Sequence, residues 1–399
     1  MINRPNYIEA IEPFIDKPLV KILAGIRRCG KSTIFEMLKE ELLRRGIAEE
    51  QIICKRYTEM DIPENITAKQ MYDELIAAMA GKGHCYLLLD EIQEIDGWEK
   101  AVNSLLEGAD ADIYVTGSNS KLMSSEISTY LTGRYVSIPV YTLSFREYLD
   151  FKAESTLSRK ELLDEYIRFG GFPIIALSEY DEQSAYQIVN GIYHTVVSRD
   201  IVKRHRINKQ DLFDRVVKYI IENMGKTFSA NSISTFLKSE HRKVSVESIY
   251  NYLRWLEQAF IIYPCERYDL QGKSILKTQE KYYLSDVSLK YALLGYNRKM
   301  LDGAMENIVF LELKRRGYDV FIGKIDTKEI DFVATRRDER VYVQVCVQIP
   351  EGSEREVGNL MDIRDHYPKY VVTLNEMDTG IENGIKIVHL ADFLLAEAW

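Results

Sequence analysis

The residue types with the clearest chemical meaning stand in a short stretch near the amino terminus. Residues 25–32 read Gly-Ile-Arg-Arg-Cys-Gly-Lys-Ser, and Thr33 follows. This order matches G-x-x-x-x-G-K-[ST], the pattern of a phosphate-binding loop (P-loop), at every fixed position. Gly25 and Gly30 permit backbone angles that a Cβ would hinder, so the peptide N–H groups of the turn can face phosphate oxygens. The stretch therefore predicts a nucleotide-binding site.

The loop residues have expected parts in binding ATP and Mg²⁺. Lys31 would reach the β- and γ-phosphates, and the Ser32 hydroxyl would complete the coordination of Mg²⁺. Thr33 starts a helix whose amino-terminal dipole faces the anion. The whole predicted nucleotide-binding set is Gly25, Ile26, Arg27, Arg28, Cys29, Gly30, Lys31, Ser32 and Thr33.

The neighbouring segments have the types that such a loop requires. "PLVKILAG" before it is a short apolar run of strand type, and "STIFEMLKEELLRRG" after it has helical spacing and ends at a glycine. Strand, loop and helix follow one another in the order of a P-loop, which makes a coincidental turn a poor alternative.

A pair of acids supplies a second element for nucleotide hydrolysis. In "CYLLLDEIQ" a buried strand ends at Asp90 and Glu91. Asp90 would hold Mg²⁺ through its water shell, and Glu91 would polarise the attacking water. Solvated acids at a strand end are the alternative, but the intact P-loop favours the catalytic interpretation.

The next strand-like run, "ADIYVTGSNS", ends in polar residues. Ser118 and Asn119 could orient the water or touch the γ-phosphate, and ordinary helix capping is an equal alternative. Arg134 and Arg146 follow and could neutralise charge in the transition state. We favour Arg134; whether such an arginine acts within its own chain or across a subunit boundary is left open.

Composition sets the class of protein. The chain has 399 residues, of which 46% are hydrophobic and 28% charged, as expected for a folded protein of two or three domains. The sequence has no apolar run of membrane-span length and no signal-peptide core, so we expect a cytoplasmic protein. The five cysteines lack metal-site spacing. A net charge of −9 means that any nucleic-acid contact needs a local basic patch.

The order of elements predicts four regions. Residues 1–142 alternate strands and helices as an α/β core with a mainly parallel sheet, and 143–208 read as a helical lid or connector. Residues 209–298 predict three helices and a hairpin, the order of a winged helix-turn-helix. Residues 299–399 predict a final α/β domain with one long helix and several strands.

Together the motifs GIRRCGKS, LLLDEIQ, TGSNS, LTGRY, LSFREYL and GGFP resemble those of AAA-type ATPases of bacteria and archaea whose chains continue into a trailing domain of unknown function. The resemblance spans nearly the whole chain. It implies an additional-strand P-loop core, a helical lid, a winged helix and a carboxy-terminal domain similar to restriction-endonuclease-like nucleases. GGFP, residues 170–173, is expected to form a structural turn.

Nucleases of that type carry acids on the first helix and at two strand positions, followed by a lysine. The matching positions here are Glu306, Asp331, Gln344 and Cys346. Glu306 and Asp331 fit, but Gln344 replaces an acid and Cys346 cannot supply the lysine's charge. Lys324 or Lys369 could stand in. We expect a degenerate site on a binding module that does not cleave DNA.

Two segments could contact nucleic acid. "SRDIVKRHRINK", residues 198–209, carries five basic residues and one acid (Arg199, Lys203, Arg204, Arg206, Lys209 and Asp200), and could bind phosphates or be a solvated face. The predicted recognition helix is "VSVESIYNYLRWLEQA", and the basic residues of the wing are Arg267, Lys273, Lys277 and Lys281. Protein packing is the alternative use of such a fold.

Two functions from different classes follow from the sequence. One is an ATPase that couples hydrolysis to a nucleic-acid transaction, and the basic segment favours it. The other is an ATP-gated switch or scaffold that binds a protein partner, and the overall negative charge favours it. The sequence does not indicate the oligomeric state.

Overall fold

The computed structural model describes residues 2–59, 63, 66–123, 127, 130–205, 207, 209–242, 244–272, 274–297, 300–349 and 355–399. The chain divides into two compact units. The first unit ends at Val140 and also takes in Gln258–Phe260, and the second comprises Tyr141–Glu257 and Ile261–Trp399. Within these described ranges, no helix has the length and apolar character needed to span a bilayer.

The first unit contains a five-stranded sheet in which all neighbouring strands run parallel. Its order is β2-β3-β4-β1-β5. Every residue of β1 and β3 is buried, as expected for a parallel sheet covered on both faces. The strands are β1 (Val20–Ala24), β2 (Ile52–Arg56), β3 (Cys85–Asp90), β4 (Ala111–Gly117) and β5 (Tyr135–Pro139).

One helix precedes these strands and three connect them. They are α1 (Pro5–Ile11), α2 (Lys31–Arg44), α3 (Ala68–Met79) and α4 (Trp98–Gly108). The start of α3 is fixed by a capping box, in which the Thr67 hydroxyl accepts from the Gln70 N–H and the Gln70 side chain accepts from the Thr67 N–H. The α/β core expected from the sequence is present.

The second unit begins with helices. They are α5 (Phe145–Phe151), α6 (Arg159–Phe169), α7 (Pro173–Ala176) and α8 (Glu182–Val196), which continues through a π-helical segment (Val197–Val202) into α9 (Lys203–His205). The GGFP turn is structural, as expected. Gly170 has φ +73°, and a Cβ there would lie 1.8 Å from Asp286 Oδ1. The Gly171 N–H donates to the buried Asp286 carboxylate at 2.9 Å.

Three helices and a hairpin follow, in the predicted order. The helices are α10 (Gln210–Glu222), α11 (Ala230–Ser239) and α12 (Val246–Gln258), and the hairpin strands are β6 (Ile262–Asp269) and β7 (Ser274–Leu284). Lys273 lies outside the described residues, as does Arg206 of the basic segment. Two further helices lead on, α13 (Ser288–Leu294) and α14 (Leu301–Arg315).

The hairpin belongs to the same sheet as the carboxy-terminal strands. This mixed sheet of eight strands has the order β12-β13-β11-β10-β9-β8-β6-β7, and β6 pairs with β8 in parallel. The remaining elements are β8 (Asp319–Ile325), β9 (Lys328–Arg336), β10 (Glu339–Cys346), α15 (Arg355–Met361), β11 (Lys369–Thr373), β12 (Gly380–Glu382), β13 (Ile385–His389) and α16 (Leu390–Leu395). The domain boundary expected between residues 298 and 299 therefore divides one continuous sheet, because backbone pairing joins the two regions.

A buried ion pair crosses the first sheet near the amino-terminal ends of its strands. The Lys21 ammonium on β1 donates to Asp112 on β4, and both side chains are almost fully buried. Asp112 also accepts from the Tyr114 hydroxyl at 2.6 Å and from the Asp16 N–H at 3.0 Å. Burial lowers the pKa of Lys21, and the Asp112 carboxylate opposes that effect. The pair is tolerated because every charged atom has partners.

We expect Asp112→Ala to destabilise the protein by about 3–5 kcal/mol, because it leaves the Lys21 charge buried without its counter-ion. Urea unfolding followed by circular dichroism measures the change. The matched control is Asp110→Ala, which removes an exposed carboxylate that contacts His84 and should cost about 1 kcal/mol or less. Equal losses in the two variants would contradict this account of the pair.

Candidate functional site

The P-loop lies at the carboxyl ends of the parallel strands. The Gly25 N–H donates to the Gly117 carbonyl at the end of β4. A Cβ on residue 25 would lie 2.0 Å from the Val140 carbonyl oxygen, so only glycine fits. Gly30 has φ +105° and immediately precedes α2. The two glycines thus allow the chain to turn sharply between strand and helix, with the first N–H groups of α2 at the turn.

Ser32 and Asp90 come together at this edge. The Ser32 hydroxyl donates to Asp90 Oδ2 at 2.7 Å, and the Arg56 Nε donates to the same oxygen at 3.0 Å. The other carboxylate oxygen of Asp90 accepts from the Thr116 hydroxyl. Hydroxyl and carboxylate oxygens are the ligands that Mg²⁺ prefers, and these two lie close enough to share one ion or its water shell. The residues present therefore fit a magnesium site.

Glu91 is held by several donors. Its Oε1 lies 3.5 Å from the Lys31 Nζ, and its Oε2 lies 3.3 Å from the Arg27 guanidinium. Oε2 also accepts from the Gln93 amide at 2.6 Å and from the Ser118 hydroxyl at 3.3 Å. Burial alone would raise the pKa of Glu91, but the charges of Lys31 and Arg27 with these hydrogen bonds lower it. The carboxylate is therefore ionised and fixed in place.

The backbone explains why Glu91 points into this cluster. Its φ is +55°, a left-handed angle that is uncommon for residues other than glycine. The Glu91 N–H donates to the Thr116 hydroxyl at 3.0 Å, which holds the turn. Such strained positions gather at functional sites.

Ser118 and Asn119 are both buried where β4 ends. Ser118 contacts Glu91, and the Asn119 carbonyl accepts from the Leu122 N–H as the chain enters a short 3-10 helix. The structure thus brings Ser118 to the acid pair. A role for the Asn119 side chain at the γ-phosphate stays a prediction.

Arg134 lies at the amino-terminal ends of the strands, opposite the end that carries the P-loop. Its carbonyl accepts from the Val20 N–H at the start of β1, whereas the P-loop follows the end of β1, ~16 Å away along the strand. The Arg134 guanidinium contacts Glu107 at 2.6 Å and Asn103 at 3.0 Å on α4. The geometry therefore does not place Arg134 at the nucleotide site of its own chain. Action across a subunit boundary stays a prediction.

Arg146, the other candidate, lies on α5 in the second unit. Its guanidinium donates to the Leu395 carbonyl at the end of α16. This contact gives Arg146 a structural role within the second unit.

Sequence patterns did not indicate three further groups at the site. The Arg4 guanidinium, which is 2% exposed, donates to the Cys29 carbonyl of the P-loop at 2.8 Å. Arg56 and Thr116 bind Asp90, as described above. Arg56 and Thr116 could have been expected because they stand at the carboxyl ends of β2 and β4, but nothing in the sequence around Arg4 signals its contact.

Comparisons with known proteins agree with this geometry. A family model described as "AAA domain" matches residues 17–149, and one described as "Domain of unknown function (DUF8612)" matches residues 160–299. A Haemophilus influenzae relative, named only as uncharacterised, is 37% identical over 99% of both chains. The chain belongs to this AAA-domain family. An uncharacterised Methanocaldococcus jannaschii protein is 32% identical over 91% of this chain and 83% of its own.

Among solved structures, a Walker-type ATPase of Pyrococcus abyssi has a TM-score of 0.53 at 15% identity, covering 73% of this chain and 96% of its own. At that identity the likeness shows the fold alone. The resemblance inferred from the motifs is thus confirmed for the AAA-type P-loop domain and for a trailing domain of unknown function, and no comparison tests the winged helix or the nuclease-like domain.

The carboxy-terminal candidates of this AAA-domain protein separate into two groups. Asp331 on β9 is buried, Glu306 on α14 is partly buried beside it, and the Asp331 N–H donates to Gln344 Oε1 at 3.3 Å. Cys346 instead belongs to an apolar cluster with Val357 and Leu360 on α15. Burial raises the pKa of the Cys346 thiol to about 12. Cys346 therefore acts as an apolar core residue.

A lysine does reach the acids, from an unexpected strand. Lys281 on β7 is 3% exposed, and its Nζ lies 3.5 Å from Glu306 and 3.8 Å from Asp331. Its assignment to the basic face of a wing is wrong, because the hairpin is part of the sheet and the side chain is buried in it. Lys369 contacts Asp365 instead, and Lys324 has no described ion pair with these acids.

The basic segment meets the predicted recognition helix. The His205 ring stacks on Trp255 of α12, with ring centres 4.3 Å apart and planes at 11°. A cavity of about 400 Å³ opens beside them, and its lining includes His205, Lys209, Ser245, Ser248, Asn251 and Trp255. The basic segment and the predicted recognition helix, which were considered separately from the sequence, therefore share one surface.

We expect Arg27→Ala to lower kcat for ATP hydrolysis by roughly 10-fold or more with little change in KM, because small displacements of a catalytic group are costly. The Arg27 guanidinium bridges Glu91 and Glu94, the latter at 3.0 Å, and so orients the base. Arg44→Ala is the matched control, since Arg44 is an exposed arginine at the end of α2 that pairs with Glu41 and lies outside the P-loop. Steady-state phosphate release at saturating ATP measures both. Equal kcat in the two variants would show that Arg27 does not position Glu91.

Proposed function

We propose that this AAA-domain protein binds ATP with Mg²⁺ at Gly25–Thr33, hydrolyses it with Glu91 as the base, and uses the cycle to change the state of its carboxy-terminal region in a nucleic-acid transaction. The observation that carries the first part is the meeting of Ser32 with Asp90 and of Lys31 with Glu91 at one sheet edge. A phosphate turn, a magnesium pair and a fixed carboxylate are the parts that phosphoryl transfer to water requires.

The roles follow from the groups. The N–H groups at the start of α2 would bind phosphate oxygens, and Lys31 would add a positive charge. The Lys31 Nζ now donates to the Gly25 and Ile26 carbonyls at 3.0 and 3.2 Å, so it is already aimed into the turn. Mg²⁺ held by Ser32 and Asp90 would neutralise charge on the β- and γ-phosphates. Glu91 would accept hydrogen bonds from the attacking water and polarise it.

The nucleic-acid part rests on the surface formed by the basic segment and α12. Arg199, Lys203, Arg204 and Lys209 are exposed, and none of the four forms an ion pair with a described acid. Free exposed cations bind phosphates through counterion release, and stacked rings beside them suit nucleobases. The surface therefore combines the two kinds of group that nucleic-acid binding uses.

One observation favours the alternative, an ATP-gated switch that binds a protein partner. His205 covers part of Trp255 on α12, so the segment around it lies on the face that a recognition helix would present to a groove. The chain is also acidic overall, with a net charge of −9. A covered helix face in an acidic protein suits a partner that replaces or extends the covering segment.

We expect two variants to separate ATP binding from hydrolysis. Lys31→Ala removes a phosphate contact and should abolish thermal stabilisation by Mg²⁺-ATP. Glu91→Gln should keep that stabilisation and lose about 100-fold or more in kcat, because an amide is a poor base. Differential scanning fluorimetry and phosphate release measure the two effects. Lys39→Ala, on the same helix but paired with Glu49, is the control. Full stabilisation of Lys31→Ala would refute the assigned ATP site.

A salt series tests the partner. For the proposed nucleic-acid contact, fluorescence anisotropy with a single-stranded oligonucleotide should show affinity falling steeply between about 50 and about 200 mM salt. Lys203→Ala with Arg204→Ala should reduce the salt slope by about two. The control removes Lys328 and Arg364, two exposed cations elsewhere in the second unit. Absence of binding at low salt, with intact ATP turnover, would leave the protein-partner function.

A further inference from the structure

Lys281 is a buried cation at the centre of a charge cluster in which Asp331 is buried, Glu306 is partly buried and the Glu329 side chain is 35% exposed. Its Nζ lies 2.9 Å from Glu329 Oε1, 3.5 Å from Glu306 Oε2 and 3.8 Å from Asp331 Oδ1. The three carboxylates come from α14 and β9, and the lysine comes from β7 of the hairpin. The Lys281 side chain is only 4% exposed. One ammonium group on β7 therefore joins three acids on two other elements.

The carboxylates need that charge. Burial raises the pKa of Asp331, and the nearby Glu306 adds to the rise, while Lys281 opposes it. Burial likewise raises the pKa of Glu306. Hydrogen bonds remove part of the cost, since Tyr283 donates to Glu306 at 2.9 Å and the Val345 N–H donates to Asp331 at 2.9 Å. Without a cation, like charges this close would repel one another in this partly buried pocket.

We propose that Lys281 is the resident cation of this pocket, that it takes the place a divalent metal ion would need between Glu306, Glu329 and Asp331, and that it thereby fastens the hairpin to the carboxy-terminal sheet. The proposal is independent of ATP hydrolysis. Among the described residues, no group of three or more His, Cys, Asp or Glu is arranged to hold a metal ion. The carboxylates are instead spaced to surround an ammonium group.

The geometry explains why the two cations exclude each other. Mg²⁺ and Ca²⁺ need several oxygens at about 2.0–2.6 Å. The Lys281 ammonium, 2.9–3.8 Å from the three carboxylates, occupies the space between them. Lys281 is tethered, so it loses little translational freedom on pairing, whereas a metal ion must be captured from solution. The lysine also forms ion pairs with three acids, so its positive charge is not available to a phosphate ester. The cluster therefore links the hairpin to the carboxy-terminal part of the sheet and does not cleave DNA.

A nearby lysine offers a matched control. Lys290 on α13 is as buried as Lys281, at 3% exposed, but forms no ion pair with a described acid. Burial lowers the pKa of Lys290 to about 8, with a further lowering by Lys226 that Glu306 opposes. Replacing Lys290 removes a buried lysine from the same region and leaves the three-carboxylate contact in place.

The test is Mn²⁺ binding to full-length, nucleotide-free protein, measured by electron paramagnetic resonance. Wild type, Lys281→Arg and Lys290→Met should bind no Mn²⁺ in this pocket. Lys281→Met should gain a Mn²⁺ site, with bound Mn²⁺ at least about tenfold above the wild-type background at the same Mn²⁺ concentration, because a competing charge has been removed. Adding Asp331→Asn to Lys281→Met should abolish the gain. Lys281→Gln replaces Lys281→Met if circular dichroism shows that the methionine variant is unfolded.

Two outcomes would overturn the proposal. One is Mn²⁺ binding by the wild-type protein that Asp331→Asn abolishes, or DNA cleavage with the same dependence, since either means that Lys281 does not exclude a metal. The other is a folded Lys281→Met or Lys281→Gln protein that binds no more Mn²⁺ than wild type. The first outcome needs only the wild-type protein and Asp331→Asn, and the second has two alternative replacements of Lys281, so the test does not depend on the stability of a single Lys281 variant.

Discussion

The nucleotide site depends on one constraint, the parallel pairing of β1 with β4 and of β4 with β3. Parallel strands bring their carboxyl ends to one edge, so the residues that follow each strand meet there however far apart they stand in the sequence. Gly25 follows β1, Asp90 ends β3 and Ser118 follows β4. The buried pair of Lys21 and Asp112 holds the other end of the same strands. A slip in register would separate Ser32 from Asp90 and remove the proposed magnesium pair.

The same constraint explains which parts of the site could be predicted. A P-loop is a local pattern, and the acid pair follows a strand whose apolar run is easy to recognise, so both could be located from sequence. Arg134 was a poorer candidate because strand direction decides its position. It immediately precedes β5, so it lies at the amino-terminal ends of the parallel strands, whereas the P-loop lies at their carboxyl ends. Arg4 could not be predicted, since its contact with the Cys29 carbonyl depends on tertiary packing of α1.

Lys281 shows a different limit of sequence analysis. The residues just before it, Thr278, Gln279 and Glu280, are polar, which is typical of an exposed hairpin, and the three helices before the hairpin have the order of a winged helix. The parallel pairing of β6 with β8 makes the hairpin part of a larger sheet, and a residue in that sheet can be buried against acids on β9 and α14. No local pattern encodes a parallel pairing across more than 50 residues, so the elements were predictable but their sheet partners were not.

Both clusters place cations of the chain against carboxylates, yet they differ in what can replace those cations. Lys31 and Arg27 lie beside the P-loop turn. In the proposed mechanism the N–H groups of that turn would attract phosphate, so an anionic ligand would draw Lys31 away from Glu91 and leave the acid free to act on water. Lys281 has three carboxylates around it and no such turn, so no anion gains by approaching. On these proposals, the exchangeable pairing suits a site that changes state with its ligand, and the fixed pairing suits one that preserves structure. Counter-ion mobility, more than the number of charged residues, therefore separates the two clusters by function.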